Sequence, residues 1–460
     1  MPVNVKQKIA VIGAGISGLC TAYWLQKAGH KVVVLEQSQH CGGSIITEKH
    51  DGFLIDLGPN SALETSETLV ELVRELGLEP SKVYGNEASN KRYILKKGRL
   101  HPVPMSPGRF ITSGLFSPGA KLRLLREPFI RRSSDPEISL ADFVRRRLGS
   151  EFLDYAINPF VAGVYAGDPA RLGTAAAFPK LYALEQKYGS LIRGAIAGAK
   201  ERKQRGEVAK DRARLFSFRE GMEVFPEALA AQLSDAIWYG AEVTSIHPVT
   251  GGWQLRLKKG NTHELLEAKA VVSAVPANVL GQFLRDLAPD AAEILPGIPY
   301  PPVAVVFMGF RATAVSRPLD GFGFLIPALE RRQILGSIWS STIFPGRAPE
   351  GHVAFTTFVG GTRQPENAGL DEAALEQLVL RDLSDIVGLK GLPVLTRILK
   401  WPRAIPQYGP GYTRIQQLYA DLEERHPRLY IAGNIRRGIS VGDSVLCARE
   451  TVDRIVAHFP

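Results

Sequence analysis

Residues 9–36 read as a strand, a glycine-spaced turn, a helix and a second strand ending in an acid. Few folds accept that order. Ile9-Ala10-Val11-Ile12 is an apolar run of the length of a buried strand. Gly13, Gly15 and Gly18 follow at the spacing G-x-G-x-x-G. Leu19 to Leu25 is helical in character and stops at Gly29, and Lys31 to Leu35 is a second apolar strand closed by Glu36. Each glycine then has a physical task. Gly13 permits a tight turn, Gly15 lets backbone approach a pyrophosphate, and Gly18 lets helix and strand pack closely. The helix N-terminus favours an anion, because its unpaired N–H groups and its dipole both point there. Glu36 is placed to accept hydrogen bonds from ribose hydroxyls, and its charge disfavours a 2′-phosphate, so NADP is not expected. The bland alternative is a glycine-rich turn with no ligand, in a chain with 45 glycines. The full strand–turn–helix–strand–acid context argues against it. A signal peptide is not expected either, since glycines break the apolar run and no Ala-x-Ala site follows.

At 460 residues the chain is too long for one core and suits two or three domains. Three scattered cysteines (Cys20, Cys41, Cys447) form no disulfide framework and suggest a reducing compartment. The histidines show no H-x-x-H spacing, so no metal site is expected. No run of 18 apolar residues exists to span a membrane as a helix. The net charge of +10 is concentrated. Lys96 to Arg147 holds 12 Lys/Arg against 4 Asp/Glu, and Arg193 to Arg214 holds 8 against 3. Nucleic acid, an anionic membrane surface and an acidic small molecule are the partners such a charge admits. No nucleic-acid motif accompanies it, so nucleic acid is not expected.

Further along, Leu63 to Leu76 has helical spacing and stops at Gly77. Lys91 to Leu95 and Arg99 to Val103 alternate around Lys97-Gly98, as a hairpin does. In residues 109–132 bulky apolar residues interleave with arginines, a pattern that suits a membrane interface or a solvated helix packed by its apolar side. Residues 138–205 are mostly helical, but Asn158 to Pro169 contains two glycines and two prolines and is expected to be a structured loop. Strands are expected at 240–246, 253–257 and 270–275, a second sheet around 303–310, 322–327 and 352–359, and a helix at 371–386. Leu429 to Asn434 then forms a strand, with a glycine-rich loop and a final helix after it.

Cys41-Gly42-Gly43-Ser44 and the turn–strand–loop from Asp51 through Gly58-Pro59-Asn60-Ser61 resemble the flavoprotein superfamily of amine oxidases, phytoene desaturases and protoporphyrinogen oxidases. Most members carry Arg where this chain has Ser44. That departure removes one phosphate partner and points to the porphyrinogen branch. The Asn158–Pro169 segment, with Ala176 to Leu181, Leu184 to Ser190 and Trp401 to Tyr408, closely resembles the oxygen-dependent, plant-like protoporphyrinogen oxidase family.

The resemblance implies an α/β fold. A Rossmann-like FAD-binding domain would take residues 1–85, 215–280 and 399–460. A sheet-plus-helix substrate domain of the p-hydroxybenzoate hydroxylase type would take 86–106 and 281–398, and a helical membrane-binding domain 107–214. It implies non-covalent FAD held by Gly13, Gly15, Ile16, Ser17, Gly18, Glu36, Gln37, Gly43, Ser44, Gly58, Pro59, Asn60 and Ser61. Val243 (through its backbone), Trp401, Ile439, Ser440 and Val441 would complete that site. In such flavoproteins the dipole of the final helix stabilises negative charge on the reduced flavin.

The implied reaction is six-electron oxidation of protoporphyrinogen IX by molecular oxygen, with the flavin as the reactive centre and no catalytic side chain. Arg92 would bind a propionate, a task that suits a bidentate guanidinium, and Lys91 would assist. Phe322, Leu325 and Phe358 would sandwich the macrocycle, and Gly163 would give close backbone approach. All six residues have bland readings too, as strand-edge charges or core. A homodimer on the inner, cytoplasmic face of the cell membrane is implied as well. Three alternatives stay open: a coproporphyrinogen III oxidase of the same family, an amine oxidase or carotenoid desaturase on the same scaffold, and a FAD-stabilised protein without enzymatic activity.

Overall fold

The computed structural model describes residues 8–205 and 213–459, with the side chains of 88, 89 and 199–205 excepted. Of the basic stretch Arg193 to Arg214, residues 206–212 therefore fall outside the described residues, and the side chains of 199–205 with them.

Five short strands form a wholly parallel sheet in the order Ile237–Trp238, Val32–Leu35, Ile9–Ile12, Ala270–Ser273, Leu429–Ile431. The middle strands are buried on both faces, which is why they read as unbroken Val/Ile runs. Ile9, Val11, Val32, Val34 and Val272 face the fingerprint helix (Ile16–Lys27) and the C-terminal helix (Val441–His458). Ala10, Ile12, Val33, Val271 and Ile431 face the other way, onto a cluster that includes Trp253, Leu255 and Leu266 of an antiparallel three-stranded sheet.

A seven-stranded mixed sheet runs in the order Leu395–Trp401, Val303–Arg311, His352–Gly360, Ile334–Ile338, Gly323–Leu325, Arg92–Lys96, Arg99–Pro102. The expected hairpin forms, with Lys97 (φ 52°) and Gly98 (φ 70°) both left-handed at its turn. Its first strand joins Gly323–Leu325 in parallel. Tyr93, Leu95, Val306, Met308 and Phe324 pack under the helix Glu372–Val387 through Leu375, Val379 and Leu383. The opposite face carries Ile94, Leu325, Phe358 and Val305 in one row of cross-strand partners.

Residues 107–205 are mainly helical. The apolar–basic segment is not one helix: Pro118 and Pro128 divide it into Pro107–Thr112, Pro118–Arg123 and a tight turn at Leu124–Phe129. It is pinned from beneath by a fully buried ion cluster. Arg147 bonds Glu127 at 3.0 Å and Glu185 at 2.6 Å, and Glu127 also accepts from the amides of Leu191 and Ile192.

One expectation fails here. Asn158–Tyr165 is a helix, not a loop, and continues a π-turn at Leu153–Ile157. Pro159 lies in the first turn, where its missing N–H costs nothing. Gly163 is tolerated inside because the helix packs against the sheet there. Ala166 (φ 50°) ends the helix in the left-handed conformation, and only beyond it does a loop begin.

Candidate functional site

The carboxyl ends of the parallel strands open on one crevice, the place where such sheets hold ligands. Gly13 (φ 99°) turns the chain out of the first strand. A Cβ on Gly18 would lie 1.9 Å from the Gly13 carbonyl oxygen, so the helix rests directly on the turn. At Gly15 a Cβ would meet nothing within 4 Å. Gly15 begins the fingerprint helix with no side-chain cap and no acid in its first turn, so these backbone donors face open space. That is the arrangement a pyrophosphate requires. Glu36 follows the second strand. Its carboxylate accepts from the amide of Ala14 at 2.7 Å and from the amide and hydroxyl of Ser38.

The other candidate cofactor residues converge on this rim. Gly42 bridges Gly15, and Gly43 packs against it. A Cβ on Gly58 would lie 1.7 Å from the Ser44 carbonyl oxygen, so the Gly58-Pro59-Asn60-Ser61 loop lies on the glycine pair. Trp401 donates its indole N–H to the Leu57 carbonyl at 3.0 Å. Ala241 donates to the Glu36 carbonyl and so brings the strand holding Val243 alongside, while Ile16, Ser17 and exposed Gln37 flank the fingerprint. The closing loop comes within reach of Ser17 at Gly433. Tyr408 and Tyr412 fix that loop from behind, bonding the carbonyls of Asn434 and Ile435. Ile439 is half-buried, and Val441 starts the last helix. Ser440 caps that helix by accepting from the Asp443 amide, and its hydroxyl bonds the Asp443 carboxylate. The helix end thus already carries an acid. An open glycine cradle with unpaired donors fits a dinucleotide such as FAD.

The candidate substrate residues form a second wall. Arg92 is exposed, and its guanidinium lies over the Phe322 ring at 5.4 Å. Among the described residues no carboxylate lies within ion-pair reach of it. Lys91 instead pairs with Asp320 at 2.5 Å, so it is not free to assist. Leu325 and Phe358 both face Gly336 across the sheet. A Cβ on Gly163 would lie 2.3 Å from Leu325, so backbone approaches the wall there. Phe358 packs with Leu57, Ala162 and Ala166, between the cofactor loop and the Gly163 helix.

Sequence reasoning missed three residues here. Arg347 is buried against Asp56 (3.3 Å) and donates to Ser217 and Phe218, tying the seven-stranded sheet to the crevice loop. Burial raises the Asp56 pKa, partly offset by Arg347. Arg363 donates to the Ile326 carbonyl (2.9 Å) and the Asn158 amide oxygen (3.1 Å), and burial pushes its pKa down to about 10. Gln407 donates to the Tyr165 carbonyl at 2.8 Å, and its own carbonyl oxygen is buried without a donor. Only Gln407 had a signal, as part of the Trp401–Tyr408 signature. The other two are arginines whose partners are remote in sequence. Among the described residues no group of three His, Cys, Asp or Glu is placed to hold a metal.

The family model "Flavin containing amine oxidoreductase" matches residues 16–456. Protoporphyrinogen oxidase 2 of Arabidopsis thaliana is 32% identical over 479 aligned positions, covering 98% of this chain and 94% of that protein. Coproporphyrinogen III oxidase of Bacillus subtilis is 30% identical over 457, covering 96% of each. A crystal structure from Exiguobacterium sp. 255-15, provisionally named a protoporphyrinogen oxidase, superposes over the whole of both chains with a TM-score of 0.82 at 25% identity.

Proposed function

Because the chain belongs to the flavin-containing amine oxidoreductase family, and is a flavin-dependent oxidoreductase, we propose that it oxidises protoporphyrinogen IX to protoporphyrin IX. Three molecules of oxygen take up the six electrons and six protons and leave as hydrogen peroxide. FAD, when bound in the glycine cradle, supplies the two-electron acceptor chemistry. The chain's own residues position the substrate. Arg92 holds a propionate, Phe322 and Leu325 lie along one side of the macrocycle, and Gly163 lets the helix backbone approach it. Phe358 fills the space toward the cofactor loop. No general acid or base is assigned, because aromatisation drives the reaction and positioning is the main requirement.

The observation that carries this reading is the acid-free guanidinium of Arg92 stacked on Phe322, at the end of the strand whose Leu325 meets Gly163. A second reading has its own observation. Arg363, also without a carboxylate in ion-pair range among the described residues, bonds the residue after Leu325. Guanidinia at both ends of this strand suit a four-propionate substrate, coproporphyrinogen III. The surface around Ile111, Leu125 and Phe129, interleaved with Arg109, Arg126 and Arg131, supports peripheral attachment to an anionic membrane. No described helix is long and apolar enough to cross one.

The test gives flavin-loaded protein each porphyrinogen anaerobically and follows the flavin absorbance, then admits air and follows porphyrin fluorescence. Bleaching and fast turnover by protoporphyrinogen support the first reading. A preference for the four-propionate substrate moves the assignment to the second. A flavin that neither substrate bleaches refutes both.

A further inference from the structure

A cavity of about 450 Å³ lies between the 92–102 hairpin and residues 113–121. Lys96, Lys97, Lys121 and His101 line it, with Ser113, Ser117 and a Phe116 floor. Two acids lie near it and both are engaged: Glu151 by Lys96 (3.0 Å) and by the amide and hydroxyl of Ser117, and Glu330 by the backbone amides of Lys97 (2.6 Å) and Gly98 (3.1 Å). Lys121 donates to the carbonyls of Ile111 and Ser113 at 2.7 Å each, which leaves its charge uncompensated by any carboxylate. Lys97 stands at the hairpin turn with no side-chain partner among the described residues. The cavity therefore holds an excess of positive charge that the protein itself does not neutralise.

Exposed apolar side chains stand beside the cavity at Ile111, whose carbonyl Lys121 holds, and at Leu122, and Leu125 and Phe129 follow in the chain. Ile111 is 71% exposed, Leu122 64%, Leu125 69% and Phe129 82%. Its floor continues inward. Phe116 stacks on Phe152 at 4.2 Å, and the two join Phe110, Tyr155, Ile94 and Leu325 in one cluster. A cationic cup with apolar residues beside it thus lies over an aromatic path that ends at the proposed substrate wall.

We propose that this cavity binds the phosphate of an anionic phospholipid headgroup. The acyl chains lie along Ile111, Leu122, Leu125 and Phe129, and the bound lipid turns the aromatic path toward the bilayer. A solvated patch of surface lysines needs neither a cavity nor apolar neighbours. The combination of both favours a lipid over a free anion. The proposal rests on the reading that this surface sits on a membrane.

The experiment is co-sedimentation of the flavin-loaded protein with vesicles of phosphatidylcholine alone or with phosphatidylglycerol added. The cavity variant is Lys97→Asn with Lys121→Gln. Asn tolerates the left-handed turn, and Gln retains a donor for the two carbonyls. The control, Arg126→Gln with Arg131→Gln, removes equal charge from the same face outside the cavity. Two basic residues near a membrane are worth about thirtyfold in binding. The cavity variant is expected to lose at least about tenfold more than the control on phosphatidylglycerol vesicles, because it also loses charge-assisted hydrogen bonds. Equal losses in both variants overturn the proposal and leave membrane attachment intact. So does equal binding to both vesicle types that Phe129→Ser abolishes. Binding to neither vesicle overturns the membrane reading with it. If inorganic phosphate, at matched ionic strength, shifts the unfolding midpoint of the wild type but not of the cavity variant, while vesicle binding is the same in both, the site belongs to free phosphate and the lipid assignment fails.

Discussion

Gly15 and Gly18 sit in one motif, yet alanine should damage them in opposite ways. At Gly18 the new Cβ would lie 1.9 Å from the Gly13 carbonyl oxygen. An ordinary C···O contact is about 3.3–3.6 Å, so helix and turn must part by about 1.5 Å. Both partners are backbone and cannot rotate away, so the cost should reach or exceed the upper end of overpacking penalties, about 3 kcal/mol. At Gly15 the backbone is extended (φ −71°, ψ 172°), a conformation any residue adopts, and the Cβ meets nothing. Gly15→Ala should therefore leave the stability of the flavin-free chain within about 0.5 kcal/mol. Its methyl instead occupies the approach of the pyrophosphate. An intrusion of about 1–3 kcal/mol weakens FAD binding by about 5- to 150-fold. Denaturant unfolding of flavin-stripped protein reads the first quantity, and titration of FAD by quenching of its fluorescence reads the second. The reasoning is refuted if Gly15→Ala destabilises the chain as much as Gly18→Ala does, or if it binds FAD as tightly as the wild type.

Arg92→Ala should lower kcat/KM for the porphyrinogen by about 10- to 150-fold, the worth of a charge-assisted contact of about 1.5–3 kcal/mol, with flavin content unchanged. Lys91→Ala, whose charge is taken up by Asp320, should cost far less, and steady-state kinetics that rank the two the other way contradict the assignment. Arg147→Met leaves Glu127 buried without its cation and should cost about 3–5 kcal/mol in urea unfolding; a loss below about 1 kcal/mol would show the cluster to be dispensable. Burial raises the Glu151 pKa, but hydrogen bonds from Ser117 and Lys96 outweigh it and leave the carboxyl below its ordinary value. A depressed folded pKa contributes stability that is present above the unfolded value of about 4.3 and lost as pH falls through the folded one. The stability gap between wild type and Glu151→Gln should therefore shrink on acidification below about pH 4, and a gap independent of pH refutes this.

The crevice was legible because its signals are local. A strand, three spaced glycines and an acid lie within 28 residues, and the parallel sheet they predict is the one observed. The hairpin around Lys97-Gly98 was legible for the same reason. Asn158–Tyr165 was misread because glycine and proline were counted without asking where they fall. A proline in the first turn and a glycine on the packed face are both compatible with a helix, and only the position of Leu325 shows which face is packed. Arg347 and Arg363 left no trace in the sequence. A buried arginine looks like any surface arginine until its partner, Asp56 or Asn158, is brought beside it by the chain's return. The row Val305, Phe358, Gly336, Leu325, Ile94 depends on the register of five strands, which periodicity within each strand cannot fix.

The parallel sheet that carries the crevice has a consequence for the order in which the molecule can be made. Only its Ile9–Ile12 and Val32–Leu35 strands are neighbours in sequence; Ala270–Ser273 arrives much later, and Leu429–Ile431 later still. The helix Val441–His458, which covers the fingerprint helix, comes after them all. At roughly 5–20 residues per second on the ribosome, the first half-site waits tens of seconds or more for its partners. Throughout that interval the side of the fingerprint helix that meets Val441–His458 stays uncovered. A polypeptide that stops before Leu429 has the full glycine motif but lacks the edge strand, the closing loop and the helix that complete the crevice.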